Sequence, residues 1–336
     1  MTIDLTVAIP TYNGAIRLPE VLERLRVQTG IESIRWEIIV IDNNSTDNTA
    51  KVVSEYQANW NEAYPLRYCL EAVQGAAYAR KRAVKEAQGT LIGFLDDDNI
   101  PALNWVAAAY AFAQTHPNAG AYGSQIHGDF EVPPPDELSP ILPFLAIAER
   151  GSEPFIYEPQ KKLLPSSAGL VLQKQAYLES VPSQLILSGR VEGNMLTGED
   201  LEMLCYIQLN GWEIWYNPAM EIDHKIPHWR LQREYLIPFM QGIGLSRFVT
   251  RMLSVKPGQR PLVLVAYTVN DVIKIILHWV KYRGKIKSEL VAACQMELFL
   301  SSLRSPFYLW RNGYFNFQNQ LINLSFHPFG NSQKCL

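Results

Sequence analysis

The sequence is poor in cysteine, and its few cysteines are widely spaced. Four occur among 336 residues, and no two of them form a C-x-x-C pair: Cys69, Cys205, Cys294 and Cys335. Zinc sites and disulfide frameworks use characteristic cysteine spacings, so neither kind of site is indicated here. The same scarcity fits a reducing compartment, and we therefore expect a cytoplasmic protein.

Several motifs that identify common protein classes are also missing. Residues 1–6 carry no basic region followed by an apolar one, which argues against a secretory signal. No G-x-G-x-x-G follows the first apolar segment and no G-x-x-x-x-G-K-[ST] occurs, so a dinucleotide Rossmann turn and a P-loop are excluded. The acidic residues do not match the EF-hand pattern either. A nucleotide bound in another way remains open.

Charge is divided unevenly along the chain. Residues 1–224 hold 15 basic and 29 acidic residues, a balance of −14, whereas residues 225–336 hold 15 and 4, a balance of +11. The acidic part suits a metal ion and argues against a nucleic-acid partner, which would need a basic stripe. The basic part is suited to an anionic lipid surface, a phosphate-bearing substrate or the acidic part itself.

Short apolar runs alternate with helix-compatible stretches over the first 130 residues. The predicted strands are Leu5–Ile9, Glu37–Ile41, Leu66–Leu70, Leu91–Leu95 and Ala119–Gly123. The predicted helices are Leu18–Gln28, Asp47–Gln57, Ala76–Ala87 and Asn104–Gln114. This alternation predicts an α/β fold with a mostly parallel central sheet flanked by helices. Ser167–Leu172, Glu199–Leu209 and Glu213–Ile222 predict a further strand, helix and strand.

Beyond about Trp229 the pattern becomes wholly helical, which divides the chain into a domain over 1–230 and a helical, basic extension over 231–336. The segment Leu262–Val280 is apolar but has Asp271 and Lys274 in its middle, and central charges are costly in a membrane span. Four cations follow it: Lys281, Arg283, Lys285 and Lys287. We expect a helix that lies on the inner face of the plasma membrane rather than crossing it. A packed helix with a solvated basic end is the alternative.

An apolar run, Leu91–Leu95, ends in three consecutive carboxylates, Asp96, Asp97 and Asp98. Acids crowded at a strand end repel one another and favour a cation. Mg²⁺ or Mn²⁺ would neutralise them and leave positions open for phosphate oxygens. A polar cap on the strand is the alternative interpretation.

Ligands in such sheets bind at the carboxyl ends of strands. Two further polar segments follow predicted strands there: residues 10–13 after the first, and residues 42–47 after the second. Asp47 is a candidate cap for the helix that begins beside it.

Four landmarks in this order resemble the inverting family 2 glycosyltransferases with the GT-A fold: Val7–Asn13, Val40–Asp47, Phe94–Asp98 and Gly198–Asp200. The resemblance covers roughly residues 4–230. Among the members of that family, the sequence is most similar to bacterial exopolysaccharide transferases, including the cyanobacterial hormogonium polysaccharide type.

The resemblance implies a role for each matching residue. Those that would bind the nucleotide sugar are Pro10, Thr11, Tyr12, Asn13, Asp42, Gly75, Arg80, Asp96 and Asp97. Chemically, a carboxylate can accept the imide N–H of uracil, and a tyrosine ring can flank the base. The implied metal ligands are Asp98, Asp96 and His224, for Mn²⁺ or Mg²⁺.

The acceptor hydroxyl must lose a proton, and the resemblance gives that task to Asp200, with Glu199 as its neighbour. Favourable charge in the first turn of a helix is the alternative interpretation for both. His228, Arg230 and Arg233 are further candidates for contacts with the diphosphate or the acceptor.

The predicted function is the transfer of a sugar from a nucleotide-diphosphate donor to a glycan or lipid-linked acceptor. The reaction is predicted to depend on a metal and to invert the anomeric centre, and the donor is most simply UDP-linked. Two alternatives stay open. A sugar-nucleotide pyrophosphorylase also uses an α/β sheet and Mg²⁺, and a non-catalytic sugar-binding or scaffold protein could retain the fold. Neither the sugar nor the acceptor nor the linkage is identified by the sequence.

Overall fold

The fold is an α/β sheet with a helical C-terminal part, seen in a computed structural model that describes residues 3–60, 62–161, 163–191 and 195–314. Cys335 lies outside these residues. The strands are β1 (Ile3–Thr11), β2 (Trp36–Asp42), β3 (Leu66–Leu70), β4 (Gly89–Phe94), β5 (Asn99–Pro101), β6 (Ala119–Phe130), β7 (Phe155–Ile156), β8 (Val171–Gln173) and β9 (Glu213–Ile226). The α-helices are α1 (Leu18–Arg26), α2 (Thr49–Ala58), α3 (Ala76–Glu86), α4 (Trp105–Thr115), α5 (Lys174–Ser180), α6 (Glu199–Leu209), α7 (Arg233–Leu253), α8 (Arg260–Tyr282) and α9 (Leu290–Arg311).

All nine strands belong to one sheet, in the order β3-β2-β1-β4-β8-β6-β9-β5, with β7 beside β9. Strands β3, β2, β1 and β4 pair in parallel, as the sequence pattern predicts. The other half is mixed, because β8 runs antiparallel to both β4 and β6, while β6 and β9 are parallel. The predicted α/β class, with flanking helices and a helical C-terminal part, is confirmed.

The central strands are buried on both faces. Every residue of β2 is buried, and its run of isoleucine and valine suits such a position. One face of the sheet packs against Leu22 of α1 and Trp105 of α4, and the other packs against Ala83 of α3 and Leu204 of α6. Helices on both faces therefore fix the strand ends at which polar side chains collect.

Three regular elements were not predicted from the sequence. β5 and β7 have three and two residues, too short to show a periodic pattern. α5 follows β8 without an intervening residue, so no turn signal separates them. The proline-rich stretch over 129–165 contains short 3₁₀ helices, including Asp136–Leu138 and Leu142–Leu145.

The helical C-terminal part shares a core with the sheet. Leu236 and Met240 of α7 are buried in one cluster with Ile141, Ile226 and Leu298. Gly244 of α7 lies against α9, because a Cβ atom there would come within 2.6 Å of the Ser301 side chain. The helices α7 and α9 therefore pack closely, and α7 is held against the sheet.

Gly93 in β4 provides a test of core packing. A Cβ atom there would lie 2.6 Å from the Trp105 ring, which is buried and donates from Nε1 to the Ser124 hydroxyl at 3.0 Å. Because the ring has no room to move, we expect Gly93→Ala to lower the free energy of unfolding by about 1–3 kcal/mol. Chemical denaturation measures this. Gly258→Ala is the control, since a Cβ atom there meets nothing within 4 Å; equal stability of the two variants would contradict the prediction.

Candidate functional site

The three consecutive acids form the turn between β4 and β5. Leu95 donates its backbone N–H to Ala8 at 3.1 Å, and the Asn99 side chain accepts the Asp96 N–H at 3.0 Å. These bonds hold the turn at the carboxyl end of the parallel half of the sheet, where ligands bind in such folds. The side chains of Asp97 and Asp98 are 10% and 9% exposed, whereas that of Asp96 is 36% exposed.

Asp97 is held by side chains of the protein. The Arg17 guanidinium makes two bonds to its carboxylate, at 2.8 and 2.9 Å, and the Thr11 hydroxyl donates to it at 2.5 Å. Burial raises the pKa of Asp97, and the bonds from Arg17 and Thr11 oppose that rise. Asp97 thus anchors the β1 end and the start of α1. Its contact with a nucleotide sugar stays a prediction.

Asp98 lies beside His224 because Asn99 of β5 pairs with His224 of β9. One carboxylate oxygen, Oδ2, is 2.8 Å from Arg230 Nη2 and 3.7 Å from His224 Nε2. Burial alone would raise the pKa of Asp98, but the contacts with His224 and Arg230 outweigh it and hold that pKa below its usual range. Asp98 is therefore a carboxylate at neutral pH.

The donor set at this point fits a divalent cation held by two protein ligands. His224 Nδ1 is buried and has no hydrogen-bond partner in the described part of the chain, and Nε2 faces Asp98. Across the described ranges, no group of three or more acidic, histidine or cysteine side chains could hold a metal. Mg²⁺ and Mn²⁺ commonly take one or two protein ligands and complete their shell with phosphate oxygens and water. Asp98 and His224 are suited to that mode.

Arg230 occupies the space between the two candidate ligands. Its Nη1 lies 3.2 Å from His224 Nε2, while Nη2 bonds Asp98. A cation bound to the same two atoms would require the guanidinium to move. Arg230 therefore links the Asp98 and His224 side chains.

A second charged cluster surrounds Arg80 of α3. Its guanidinium forms a buried ion pair with Glu199 at the start of α6 and donates to the Ser167 hydroxyl at 2.7 Å. Asp96 lies 3.6 Å away from the same guanidinium. Asp96 thus faces the Arg80 cluster, and Glu199 is already paired with a cation.

Asp200 follows Glu199 and is half-buried. Its carboxylate accepts the backbone N–H groups of Ser167 at 3.0 Å and Leu201 at 2.8 Å. Both bonds orient the carboxylate, and neither comes from a charged group. Of the two neighbouring acids, Glu199 makes the ion pair with Arg80, whereas Asp200 attracts the same guanidinium without an ion pair to it.

The loop after β1 is bound to the loop after β2. The Asn13 side chain accepts the Thr46 N–H at 2.8 Å, and the Asn13 N–H donates to the Ser45 hydroxyl at 2.9 Å. Tyr12 is 36% exposed, so its ring is available to flank a ligand. Pro10 lies within β1 and Thr11 is buried against Asp97.

Asp42, at the end of β2, is buried and already bonded. It accepts the Tyr68 hydroxyl and the Ser45 N–H, both at 2.8 Å. Each carboxylate oxygen can accept more than one hydrogen bond, so the predicted contact with a base remains compatible with this geometry. The N-cap residue of α2 is Asn48, which makes no side-chain cap bond, and not the predicted Asp47. Asp47 lies one residue earlier and accepts the Thr49 N–H at 2.9 Å.

Gly75 precedes α3 and has a φ of +133°, a backbone conformation that residues other than glycine rarely adopt. A Cβ atom there would lie 2.7 Å from the Ser188 carbonyl oxygen. Asn43 accepts the Gly75 N–H at 2.8 Å, which joins this turn to the end of β2. Glycine is therefore needed for the approach of the segment that carries Ser188.

A cavity of about 510 Å³ opens beside Asp97 and Asp98, between the start of α1 and the 3₁₀ helix His228–Leu231. Its lining includes two arginines and an exposed indole: Arg17, Arg230 and Trp229. Arg80 and Asp200 do not line it. The cavity thus adjoins the Asp98 end of the site, and acids outnumber cations in its lining.

Sequence reasoning missed Arg17 and Ser167. Arg17 lies in the turn before α1, where an arginine usually has only solvent contacts, and its partner is 80 residues away. Ser167 is a small polar residue before a short strand, with no motif around it. Only the tertiary contacts reveal that each one holds a predicted site residue in place.

Residues 6–165 match the family model for glycosyl transferase family 2. A curated relative from Escherichia coli, the UDP-Glc:alpha-D-GlcNAc-diphosphoundecaprenol beta-1,3-glucosyltransferase WfgD, is 32% identical over 102 residues, which are 30% of this chain and 36% of that protein. The matches to five such relatives span between 25% and 36% of their lengths.

Two solved structures share the fold over much longer stretches. The mannosyltransferase PcManGT from Pyrobaculum calidifontis, in complex with GDP-Man and Mn²⁺, has a TM-score of 0.56 at 17% identity and covers 92% of this chain and 88% of its own. GalNAc-T7 with UDP, GalNAc and Mn²⁺ has a TM-score of 0.53 at 15% identity, covering 77% and 51%. The predicted GT-A-like fold is therefore confirmed; a cyanobacterial origin is not tested.

The buried Glu202 makes the stability of the protein near the site depend on pH, which can be tested. It is fully buried on α6 and accepts the N–H groups of Ile186 and Leu187 at 2.9 and 2.8 Å, which fixes the segment leading to Ser188. Burial outweighs these bonds and raises the pKa of Glu202 from 4.5 to about 7. A raised pKa in the folded state means that the protonated form favours folding. The stability that protonated Glu202 gives to the folded state is fully present below pH 4.5 and is lost as the pH rises through about 7.

We expect the free energy of unfolding to fall by roughly 2–3 kcal/mol between pH 5 and 8, and Glu202→Gln to flatten this dependence. Urea denaturation across that range measures it. Glu158→Gln, at an exposed position, is the control. An unchanged slope in Glu202→Gln would show that another group titrates.

Proposed function

We propose that the chain transfers a sugar from a UDP-linked donor to a hydroxyl group of a glycan or lipid-linked acceptor, inverting the anomeric centre. The match of residues 6–165 to the glycosyl transferase family 2 model and the GT-A-like fold support this proposal. One observation carries the proposal. At the end of β4, the Asp98–His224–Arg230 group suits a diphosphate with its cation. Asp200, linked to the same strand end through Ser167 and Arg80, is a carboxylate held by two backbone N–H groups and, among the described residues, by no ion pair.

The donor would bind along the carboxyl ends of β1, β2 and β4. The exposed ring of Tyr12 is placed to flank the base, and Asp42 retains capacity to accept its imide N–H. Arg230 and Arg17 line the adjoining cavity and are suited to the diphosphate. The E. coli relative's name specifies UDP-Glc, and a structural neighbour contains UDP, which supports a UDP-linked donor here.

Asp98 and His224 would hold Mn²⁺ or Mg²⁺. Such an ion, when bound, neutralises the diphosphate and stabilises the negative charge on the leaving nucleotide. The protein's own contribution is a pre-formed pair of ligands, one of them a carboxylate at neutral pH. The Arg230 guanidinium contacts both of these side chains, so it would have to leave them if they held a cation, and it would then be free to bind phosphate oxygens of the donor.

Asp200 would act as the general base. The acceptor hydroxyl loses its proton to this carboxylate as the oxygen attacks the anomeric carbon from the face opposite the leaving group. A single displacement of this kind inverts the centre. Glu199 serves as a positioning residue, since its pairing with Arg80 fixes the start of α6 and therefore Asp200. Asp96, beside Arg80, is placed to contact the transferred sugar.

The two alternative functions gain no support. A pyrophosphorylase would need a glycine-rich, arginine-containing turn after β1, and residues 10–14 have one glycine. A scaffold protein has no need for the buried His224, whose Nδ1 has no hydrogen-bond partner among the described residues. Such a group is costly unless it serves a ligand. Synthesis of an extracellular polysaccharide is the process in which we expect the transfer to take place.

Donor binding is expected to depend on a divalent metal through Asp98. Asp98→Ala should weaken UDP binding at least tenfold in the presence of Mn²⁺ and have little effect when EDTA is present, because the lost interaction is between the cation and its ligand. Calorimetric titration with UDP measures both affinities. Asp129→Ala is the control, since Asp129 lines the same cavity and is half-exposed. Equal UDP affinity with and without Mn²⁺ in the unmodified protein would overturn the metal proposal.

Asp200→Asn is expected to lower kcat about 10²-fold or more while UDP-sugar affinity stays near normal, because the amide cannot accept the proton but keeps an oxygen for the Ser167 N–H. Steady-state assays with a panel of UDP-sugars measure this. Glu199→Gln is the companion variant, and it should reduce thermal stability by leaving Arg80 buried without its partner. Near-normal turnover in Asp200→Asn would assign the base to another residue, with Glu199 the first candidate.

A further inference from the structure

Helix α8 exposes most of its large apolar side chains and buries two polar ones. Its two buried residues are Asp271 and His278, whereas Leu262, Leu277 and Trp279 are 77%, 63% and 59% exposed. A surface helix of a water-soluble domain normally shows the reverse arrangement. The outer face of α8 is therefore an exposed apolar surface.

The polar residues of α8 fix its orientation. Arg251 of α7 makes two bonds to the Asp271 carboxylate, at 2.5 and 2.9 Å, and His278 Nε2 lies 2.9 Å from the Ala292 carbonyl oxygen of α9. Breaking the first contact would leave a buried charge unpaired. The helix consequently cannot rotate to hide its outer face.

The outer face is continuous over most of the helix. Its large apolar side chains, all at least 39% exposed, are Leu262, Val265, Val269, Val272, Ile273, Ile276, Leu277, Trp279 and Val280. Isolated exposed apolar residues are ordinary, but a contiguous patch marks an interaction surface. By length and hydropathy, the stretch Pro257–Lys285 could even cross a bilayer, and only 11% of its apolar window is buried.

Positive charge borders this face. Residues 256–287 contain seven lysines and arginines and one acid, Asp271, which is paired with Arg251. Lys274 and Lys281 are seven residues apart, so helical periodicity places them on one flank of α8. Arg283, Lys285 and Lys287 follow its C-terminal end and are exposed. The surface therefore combines an apolar face with a cationic border, as membrane-surface helices do.

An apolar cavity of about 560 Å³ lies at the same end, between α8 and α9. Ile276, Trp279, Ile286 and Met296 line it, and the exposed Arg283 and Lys287 line it as well. An acyl chain would fill such a cavity, with its headgroup phosphate beside the two cations.

We propose that α8 lies flat in one anionic leaflet of a membrane, with its apolar face among the acyl chains and its flanking cations at the lipid phosphates. The helix does not span the bilayer. Asp271 is fixed to Arg251 at its midpoint, and Lys274, one turn further along, is exposed on the surface. Both charges would lie at the centre of a spanning helix, where they are costly.

This attachment would bring the active site to the membrane surface. Arg233, at the start of α7, bonds the Ser288 carbonyl oxygen at 3.2 Å, immediately after the last cation of the basic end. Arg230 lies three residues before Arg233 and contacts Asp98. If the proposed transferase activity holds, an acceptor carried on a lipid diphosphate would reach the site without leaving the leaflet; the attachment itself does not depend on that activity.

Vesicle binding tests the proposal with the full chain. Vesicles of phosphatidylcholine with 30% phosphatidylglycerol should sediment the protein at low salt, and high salt should release a large part of it. Ile276→Glu/Leu277→Glu should reduce binding about tenfold or more. Leu178→Glu/Leu209→Glu is matched to it, since those residues are 65% and 57% exposed on other helices, and it should bind normally.

Reversal of the four cations at positions 281, 283, 285 and 287 to glutamate should likewise reduce binding tenfold or more, whereas Lys51→Glu/Lys161→Glu, at exposed sites in the domain before β9, should not. If the unmodified protein ignores anionic vesicles at low salt, the proposal is overturned. A stable dimer in lipid-free buffer that the Ile276→Glu/Leu277→Glu variant breaks, without vesicle binding, would overturn it in favour of a second copy on this face.

Labelling cysteines at the two ends of α8 from outside the vesicles distinguishes a helix that lies flat on the membrane from one that spans it. Gly258 and Gly284 are at the two ends of α8, and a Cβ atom at either meets nothing within 4 Å, so each can carry a cysteine. In a background with Cys69→Ser and Cys335→Ser, a membrane-impermeant maleimide added outside the vesicles should label Gly258→Cys and Gly284→Cys equally. Labelling of only one end would show that the helix spans the bilayer.

Discussion

The structure of the site depends on the neutralisation of three adjacent carboxylates by three arginines from different elements. Asp97 is paired with Arg17 before α1, Asp98 with Arg230 after β9, and Asp96 lies near Arg80 of α3. Burial raises the pKa of Asp96 and of Asp97, and the neighbouring arginines oppose that rise. These contacts bring α1, α3 and the 228–231 turn to one edge of the sheet. The shape of the site follows from this convergence.

The parts of this arrangement that lie along one strand or one loop were predictable from the sequence. The apolar run into Asp96, the polar turn after β2 and the acid pair opening α6 each carry their signal locally. The position of His224 beside Asp98 does not, because it depends on pairing between β5 and β9, whose residues are about 120 positions apart. β5 itself is too short for a periodic pattern. Arg17 and Ser167 were missed for the same reason: their roles exist only in contacts with distant segments.

The C-terminal helices show a different limit of sequence reasoning. The composition of residues 262–280 correctly indicated a long apolar helix, with charges that disfavour a span. It could not indicate which way the helix faces, since that is decided by the pairing of Asp271 with Arg251, twenty residues away on another helix. In the sequence, Asp271 only disfavours a membrane span. In the structure, its ion pair with Arg251 orients α8 so that the apolar side chains face outward.

Ser167 contacts both halves of the site: its hydroxyl accepts from Arg80, beside Asp96, and its backbone N–H donates to Asp200. If the proposed roles hold, with Arg80 on the donor side and Asp200 on the acceptor side, a displacement of Arg80 would be transmitted to Asp200 through this one residue. Two ligands that acted on it would alter each other's affinity by the same factor. This linkage would favour a compulsory order of substrate addition, in which the acceptor gains affinity once the donor is in place and free enzyme rarely commits to an acceptor alone.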